Sequence, residues 1–157
     1  MYPHHVATVV AGVFHRLGLS ALLKAHKEEL AAYFGNQGEH GTGIAGACQR
    51  LAWVFKLLAE KHPLGIMTWE DLTSGFNCAS RLSVDKGVMA MPPQLQWLRR
   101  TFHAFYSNDI PLFFARDGEF HVIVSATGSM QGDPAGGVWF DAAVQLPFNI
   151  LRTEFVE

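Results

Sequence analysis

Residues 128–137 read GSMQGDPAGG and run directly into the apolar segment VWFDAAVQ. Asp133-Pro134 has the chemistry of a helix start, because Asp is a good cap and Pro fits the first turn. The glycine beside it lets another backbone or a ligand come close. By itself the stretch reads as a capped turn with outward N–H groups, and the rest of the chain has to decide whether anything binds there.

A second stretch, WEDLTSGFN, reads as a strand that ends in Glu70-Asp71 and continues through Thr, Ser and Gly to Phe76. An acid at the carboxyl end of a strand projects into a cleft where oxygen ligands suit magnesium. One carboxylate does not make a site, and Asp71 can equally be a solvated turn residue. Glu70 falls on the opposite face of that strand and is not counted as a ligand.

A third stretch, GTGIAG at 41–46, is a literal G-x-G-x-x-G followed by a strand candidate ending in the same acids. Dinucleotide binding needs a strand running into those glycines, whereas KEELAAYFGNQGEH reads as a helix end and a polar loop. A plain helix entry fits better. The histidines, His4, His5, His15, His26, His40, His62, His103 and His121, show neither helical ligand spacing nor a His-x-His pair.

These residues have to be positioned by a chain of 157 residues that is 49% hydrophobic, enough for one globular domain. Twelve Lys plus Arg against fourteen Asp plus Glu give a net charge of −2, so no overall basic field draws the chain to nucleic acid. Cys48 and Cys78 are too few for a zinc framework. No signal peptide is apparent, and a reducing, intracellular setting is expected. No apolar stretch reaches transmembrane length uninterrupted, so no membrane partner is expected.

Hydrophobic spacing predicts helix over Val6–Phe34 with Gly18 as its weak point, and a second helix from Thr42 or Gly43 that Pro63 stops. LGIMTWEDL is a short strand candidate, and a small helix is expected near Leu82–Val88. PPQLQWLRRTFHAFYS begins with a proline pair suited to a helix start and aligns Leu95, Leu98, Phe102 and Phe105 on one face. IPLFFARDGEFHVIVSATG is a hairpin around Asp117-Gly118. A last helix runs from Pro134 toward Phe155, interrupted by Pro147.

In order, HPLGIMTWEDLTSGFNCASR and QWLRRTFHAFYSNDIPLFFARDGEFHVIVSATGSMQGDP resemble the palm of a reverse transcriptase of the non-LTR retrotransposon type. The matching points are Asp71, Gly75-Phe76-Asn77, Ser80-Arg81, Phe105-Tyr106 and Gln131-Gly132-Asp133-Pro134. Upstream, GNQGEHGTGIAGACQRL is similar to the Gln-Gly loop and Gly-Thr helix entry that precede that palm. The resemblance implies an α+β fold, a partial fingers-and-palm domain over 1–157. Residues 1–62 would be the helical fingers side, and 63–157 a palm of helices on a small antiparallel sheet, incomplete at its C-terminus.

It further implies nucleotidyl transfer by two magnesium ions, with an RNA template, a DNA primer and a deoxynucleoside triphosphate as partners. Asp71 would be the catalytic, metal-binding carboxylate. Phe76 would crowd a ribose 2′-hydroxyl, Gln131 and Gly132 would line the nucleotide pocket, and Asn77, Arg81, Asp133 and Pro134 would support the motifs.

The chain departs from the family in lacking an aromatic-x-Asp-Asp segment after the Gln-Gly helix; YSND at 106–109 lies in the wrong order. Val6 stands where the family has a triphosphate-gripping arginine. The expectation is therefore a fragment inactive by itself, with a non-catalytic binding or scaffold remnant as the alternative and a dinucleotide-binding unit as a weaker one. A palm without its last hairpin should expose a strand edge and the face of the final helix around Val138, Phe140 and Val144, inviting self-association.

Overall fold

The computed structural model describes residues 12–37, 46–66, 74–130 and 132–155. The chain divides into two compact units, one of residues 1–25 with 74–157 and one of residues 26–73. The described residues form an α+β structure of seven α-helices and a two-stranded antiparallel sheet. None of the described helices is long and apolar enough to cross a membrane.

The N-terminal helical region is two helices, α1 (Val13–Ala25) and α2 (Lys27–Asn36), and the break falls at His26 rather than Gly18. His26 sits at φ −108°, ψ 22°, a backbone open to most residues, so no glycine is needed there. Gly18 is accommodated within α1. In the smaller unit, α3 (Ala47–Lys61) follows Gly46, whose φ of +71° suits a glycine. The expected start at Thr42 or Gly43 lies outside the described residues. Residues 67–73, which include most of the strand candidate LGIMTWEDL, also lie outside them.

The larger unit is built on three helices that bury one face each: α5 (Arg81–Met89), α6 (Trp97–Tyr106) and α7 (Gly136–Phe155). A single turn of helix, α4 (Gly75–Cys78), precedes them, and a 3-10 turn at Pro93–Leu95 leads into α6. The proline pair does mark a helical entry, but a 3-10 one. Ser80 caps α5, its Oγ accepting from the Ser83 N–H at 3.4 Å. At the other end, Gln96 Nε2 donates to the carbonyls of Val88, Met89 and Met91 at 3.1, 3.3 and 2.7 Å, satisfying groups a helix end leaves open.

Helices α5 and α7 touch backbone to backbone. A Cβ on Gly87 would stand 1.9 Å from the Ala142 carbonyl oxygen, so only glycine permits this approach. Val84 and Val88 of α5, Leu98, Phe102 and Tyr106 of α6 and Trp139 of α7 are buried in the core. The buried α6 face ends in Tyr106, and the expected Phe105 is 39% exposed. Tyr106 has a buried hydrogen-bond acceptor, which an apolar-spacing argument does not register.

Strands β1 (Ile110–Arg116) and β2 (Glu119–Ser125) pair with Phe113 opposite Val122 and Ala115 opposite Phe120. Asp117 and Gly118 both have positive φ, 53° and 82°, the signature of the two-residue turn that the sequence predicts. The exposure expected on the last helix is displaced. Val138 is buried and Phe140 and Val144 are half-buried, because α7 turns that face onto the core. Its exposed apolar residues are Leu146, Phe148 and Ile150, nearer the C-terminus.

On the outer side of α5 and α6, Asp85 Oδ1 accepts from Arg99 Nε at 2.9 Å and pairs with His103 Nε2 at 2.8 Å. The bond from Arg99 is the main cause that holds the Asp85 carboxyl below its ordinary range. A depressed pKa means that the stabilisation is complete above the unfolded value of about 4 and is lost as pH falls through the folded value. Urea unfolding of the native chain and of Asp85→Asn at several pH values checks this. The gap between their midpoints should be widest near neutrality and close below pH ~4. A gap independent of pH would show that the ion pair is not what Asp85 contributes.

Candidate functional site

Asp71 and Gln131, the two residues carrying most of the expected chemistry, lie outside the described residues. The remaining expected residues, Phe76, Asn77, Arg81, Gly132, Asp133 and Pro134, are described, and the loop between β2 and α7 gathers them.

That loop is fastened to α4 by backbone bonds. The Gly128 N–H donates to the Ala79 carbonyl at 2.8 Å and the Ser129 N–H to the Phe76 carbonyl at 2.9 Å. Thr127 Oγ1 donates to the Asn77 carbonyl at 3.1 Å. Gly128 is needed here twice over. Its φ is +63°, and a Cβ would fall 2.2 Å from the Asn77 carbonyl oxygen. Asn77 thus enters the site through its backbone, while the half-exposed Phe76 ring lies 5.3 Å from that of Phe140.

Arg81 clamps the loop from the start of α5. Its guanidinium donates to the carbonyls of Gly128 at 3.2 Å, Asn108 at 3.0 Å and Ser125 at 2.9 Å, and to Ser125 Oγ at 3.2 Å. It also lies over the Tyr106 ring at 5.3 Å. Burial lowers the Arg81 pKa, opposed by the nearby Tyr106 and Asp109. The planar fork fits a cluster of carbonyls converging from three directions. Its donors are spent on the protein itself.

Asp133 is the centre of the cluster, with a side chain wholly removed from solvent. Oδ1 accepts from the Ala135 N–H at 2.8 Å, so Asp133 closes the turn that leads into α7, which begins at Gly136 and not at the expected Pro134. Oδ2 accepts from the Trp139 indole at 3.1 Å and from the Tyr106 hydroxyl. The Tyr106 oxygen in turn accepts from the Met130 N–H at 3.1 Å. Burial, then the bond to Asp133 and its charge, push the Tyr106 pKa upward, so the phenol stays protonated and donating. From α1, the buried His15 brings Nε2 to 3.5 Å from Oδ1, with its ring against Phe105 at a centroid distance of 4.0 Å.

Gly132 completes the turn at φ +79°, exposed and with open space where a Cβ would stand. Pro134 is half-buried beside it. His15, Tyr106 and Trp139 are the members of this cluster that the sequence does not single out as a group. The Tyr at the end of α6 is marked in the sequence only by the Phe-Tyr of the resemblance, and the Trp six residues after Asp133 only as an apolar position. Among the described residues no group of three or more His, Cys, Asp or Glu side chains is placed to hold a metal ion. An apolar groove of about 460 Å³ belongs to the smaller unit, lined by residues that include Phe55, Leu58, His62 and Ile66, with His62 as its titratable group.

Chemically, the cluster is a set of donors satisfied by one carboxyl and a set of carbonyls satisfied by one guanidinium, with the buried His15 Nε2 beside them making no hydrogen bond. It fixes the Gly132 turn relative to Phe76 and needs no ligand to do so. No protein-family model, curated protein or solved structure matches the chain.

Two substitutions test this account. Asp133→Ala strands the Tyr106 hydroxyl, the Trp139 indole and the Ala135 N–H, and should lower the unfolding free energy by about 3 kcal/mol in urea titrations. Gly128→Ala drives a methyl into the Asn77 carbonyl at a positive φ and should cost roughly 3 kcal/mol by the same measurement. Loss below about 0.5 kcal/mol in either case would contradict the packing described here.

Proposed function

We propose that the chain is a fingers-and-palm portion of a reverse transcriptase-like protein of the non-LTR retrotransposon type, acting inside the cell and without polymerase activity by itself. One observation supports this reading above the others. Ser80-Arg81, Phe105-Tyr106 and Gly132-Asp133-Pro134, matched to the family by order and spacing, meet through the Arg81 guanidinium, the Tyr106 ring and hydroxyl and the Asp133 carboxyl. The Tyr106–Asp133 bond joins residues 27 apart, and the Arg81–Gly128 bond ties the start of α5 to a loop residue 47 positions on.

In this reading Asp71 is a magnesium ligand, Phe76 crowds the 2′-position of an incoming deoxynucleotide, and Gln131 and Gly132 face nucleotide and template. RNA template and DNA primer are the macromolecular partners. Two-metal transfer needs several carboxylates around its cations, and no aromatic-x-Asp-Asp follows Pro134 in these 157 residues. Asp133 cannot substitute, since both its oxygens accept buried donors.

A second reading, a non-catalytic binding or scaffold module, is favoured by the same observation: both Asp133 oxygens and the Arg81 donors are taken up by the protein itself. The dinucleotide reading of GTGIAG is weaker, because the described residues leading toward it, Lys27–Asn36, are helix and not strand.

Primer extension on an RNA template with magnesium tests the proposal. The 157-residue chain should give none. The same chain extended by a downstream aromatic-x-Asp-Asp hairpin should extend the primer, and Asp71→Asn in that background should return it to zero. Extension by the present chain would overturn its assignment as inactive. A folded but silent extended chain would favour the scaffold reading.

A further inference from the structure

The hairpin carries a feature that the proposed function does not use. The register sets six side chains on one face of the ribbon: Pro111 and Val124 at the base, Phe113 and Val122 in the middle, Ala115 and Phe120 near the tip. All six are apolar and all six are exposed, Phe120 at 85% and Phe113 at 69%. The opposite face, with Leu112, Phe114 and His121, is the more covered one. A ribbon normally turns one apolar face inward and a polar face outward, so an apolar outer face lacks an occupant. Among the described residues the two strands pair only with each other.

We propose that this face is the interface of a homodimer, in which the hairpins of two copies stack face to face with their strands running antiparallel. Area supports a second copy. The two Phe rings alone expose about 300 Å². With the other four residues the face reaches about 600 Å², the upper end of what a monomer leaves open. Two such faces bury about 1,200 Å², where specific interfaces begin.

Charge argues against phosphate-bearing occupants and fixes the orientation. At the base Asp109 is offset by the nearby Arg81, whereas at the tip Asp117 and Glu119 stand against Arg116, itself paired with Asp117 at 3.5 Å, so the tip is net negative and disfavours nucleic acid and anionic lipid. A parallel stack would set two net-negative tips side by side. The antiparallel stack separates them. It also lays the uneven tip row of Ala115 and Phe120 over the smaller base row of Pro111 and Val124, which makes the face self-complementary under a two-fold axis.

Sedimentation equilibrium of the 157-residue chain across the micromolar range tests this. A monomer–dimer equilibrium is expected, and Phe113→Ser with Phe120→Ser should raise its Kd by about tenfold or more. Far-UV circular dichroism should be unchanged, since both rings are exposed. Val122→Thr, a milder change, should weaken the dimer by roughly threefold, which keeps the test intact if the double variant misfolds.

The exposed pair Trp53 and Leu57 on α3 supplies the control, and Trp53→Ser with Leu57→Ser should leave Kd unaltered. A chain that stays monomeric, polydisperse aggregates, loss of dimer in the α3 variant, or an unchanged Kd in the hairpin variants would overturn the proposal. So would a monomer that binds phosphatidylcholine vesicles through Phe113 and Phe120. None of these outcomes bears on primer extension, so the two readings fail separately.

Discussion

A carboxyl group removed from water must find donors inside the protein, and Asp133 finds them in a backbone N–H, an indole and a phenol. Each donor belongs to a different part of the larger unit's framework: the turn leading into α7, the first turn of α7, and the end of α6. The position of one side chain therefore fixes the angle at which α7 leaves the loop and the depth to which α6 sinks. The aromatic packing follows from this. Phe102 stacks on Tyr106 at 5.2 Å and meets Trp139 at 5.3 Å, and both of its neighbours are held by the same carboxyl. Buried networks of this kind are either fully satisfied or strongly destabilising, so the surrounding core has little freedom to repack.

Arg81 performs the complementary task for carbonyls. Where the loop crosses α4 it runs too close for any side chain, which Gly128 permits, and its oxygens then point toward the start of α5. A guanidinium collects the Gly128 carbonyl together with those of Asn108 and Ser125 and also covers the Tyr106 ring. The base of the hairpin is thereby tied to the helical core through Asn108 and Ser125, while the outer face beyond it stays open. Rigid anchoring at one end and bare apolar surface at the other are two consequences of one attachment.

What was legible in the sequence follows from how local each cause is. Asp117-Gly118 needs only two consecutive positive φ angles, and the residue types announce it. The short helix expected near Leu82–Val88 and observed at Arg81–Met89 is equally local. Tyr106 was not legible as a core residue, because burying a phenol depends on an acceptor 27 positions away. The break at His26 was not legible either, since a bridge-region backbone leaves no residue-type mark. Val138 was expected on an open face because the resemblance leaves the final helix without its last hairpin neighbour. In the structure it is buried, and α5 approaches α7 at Gly87 and Ala142.

The stretch Gln131-Gly132-Asp133-Pro134 can be divided by cause. Asp133 is explained by its buried donors and Pro134 by the turn into α7, so neither requires a ligand. Gly132 is explained by the sign of its φ, yet a Cβ there would meet only open space. Gly128 differs, since its lack of a side chain is used by the protein's own backbone. If anything outside the chain uses the loop, it does so at the exposed turn of Gly132, between the start of α7 and the half-exposed ring of Phe76. The cluster beneath is the reason that turn keeps its shape when nothing is bound.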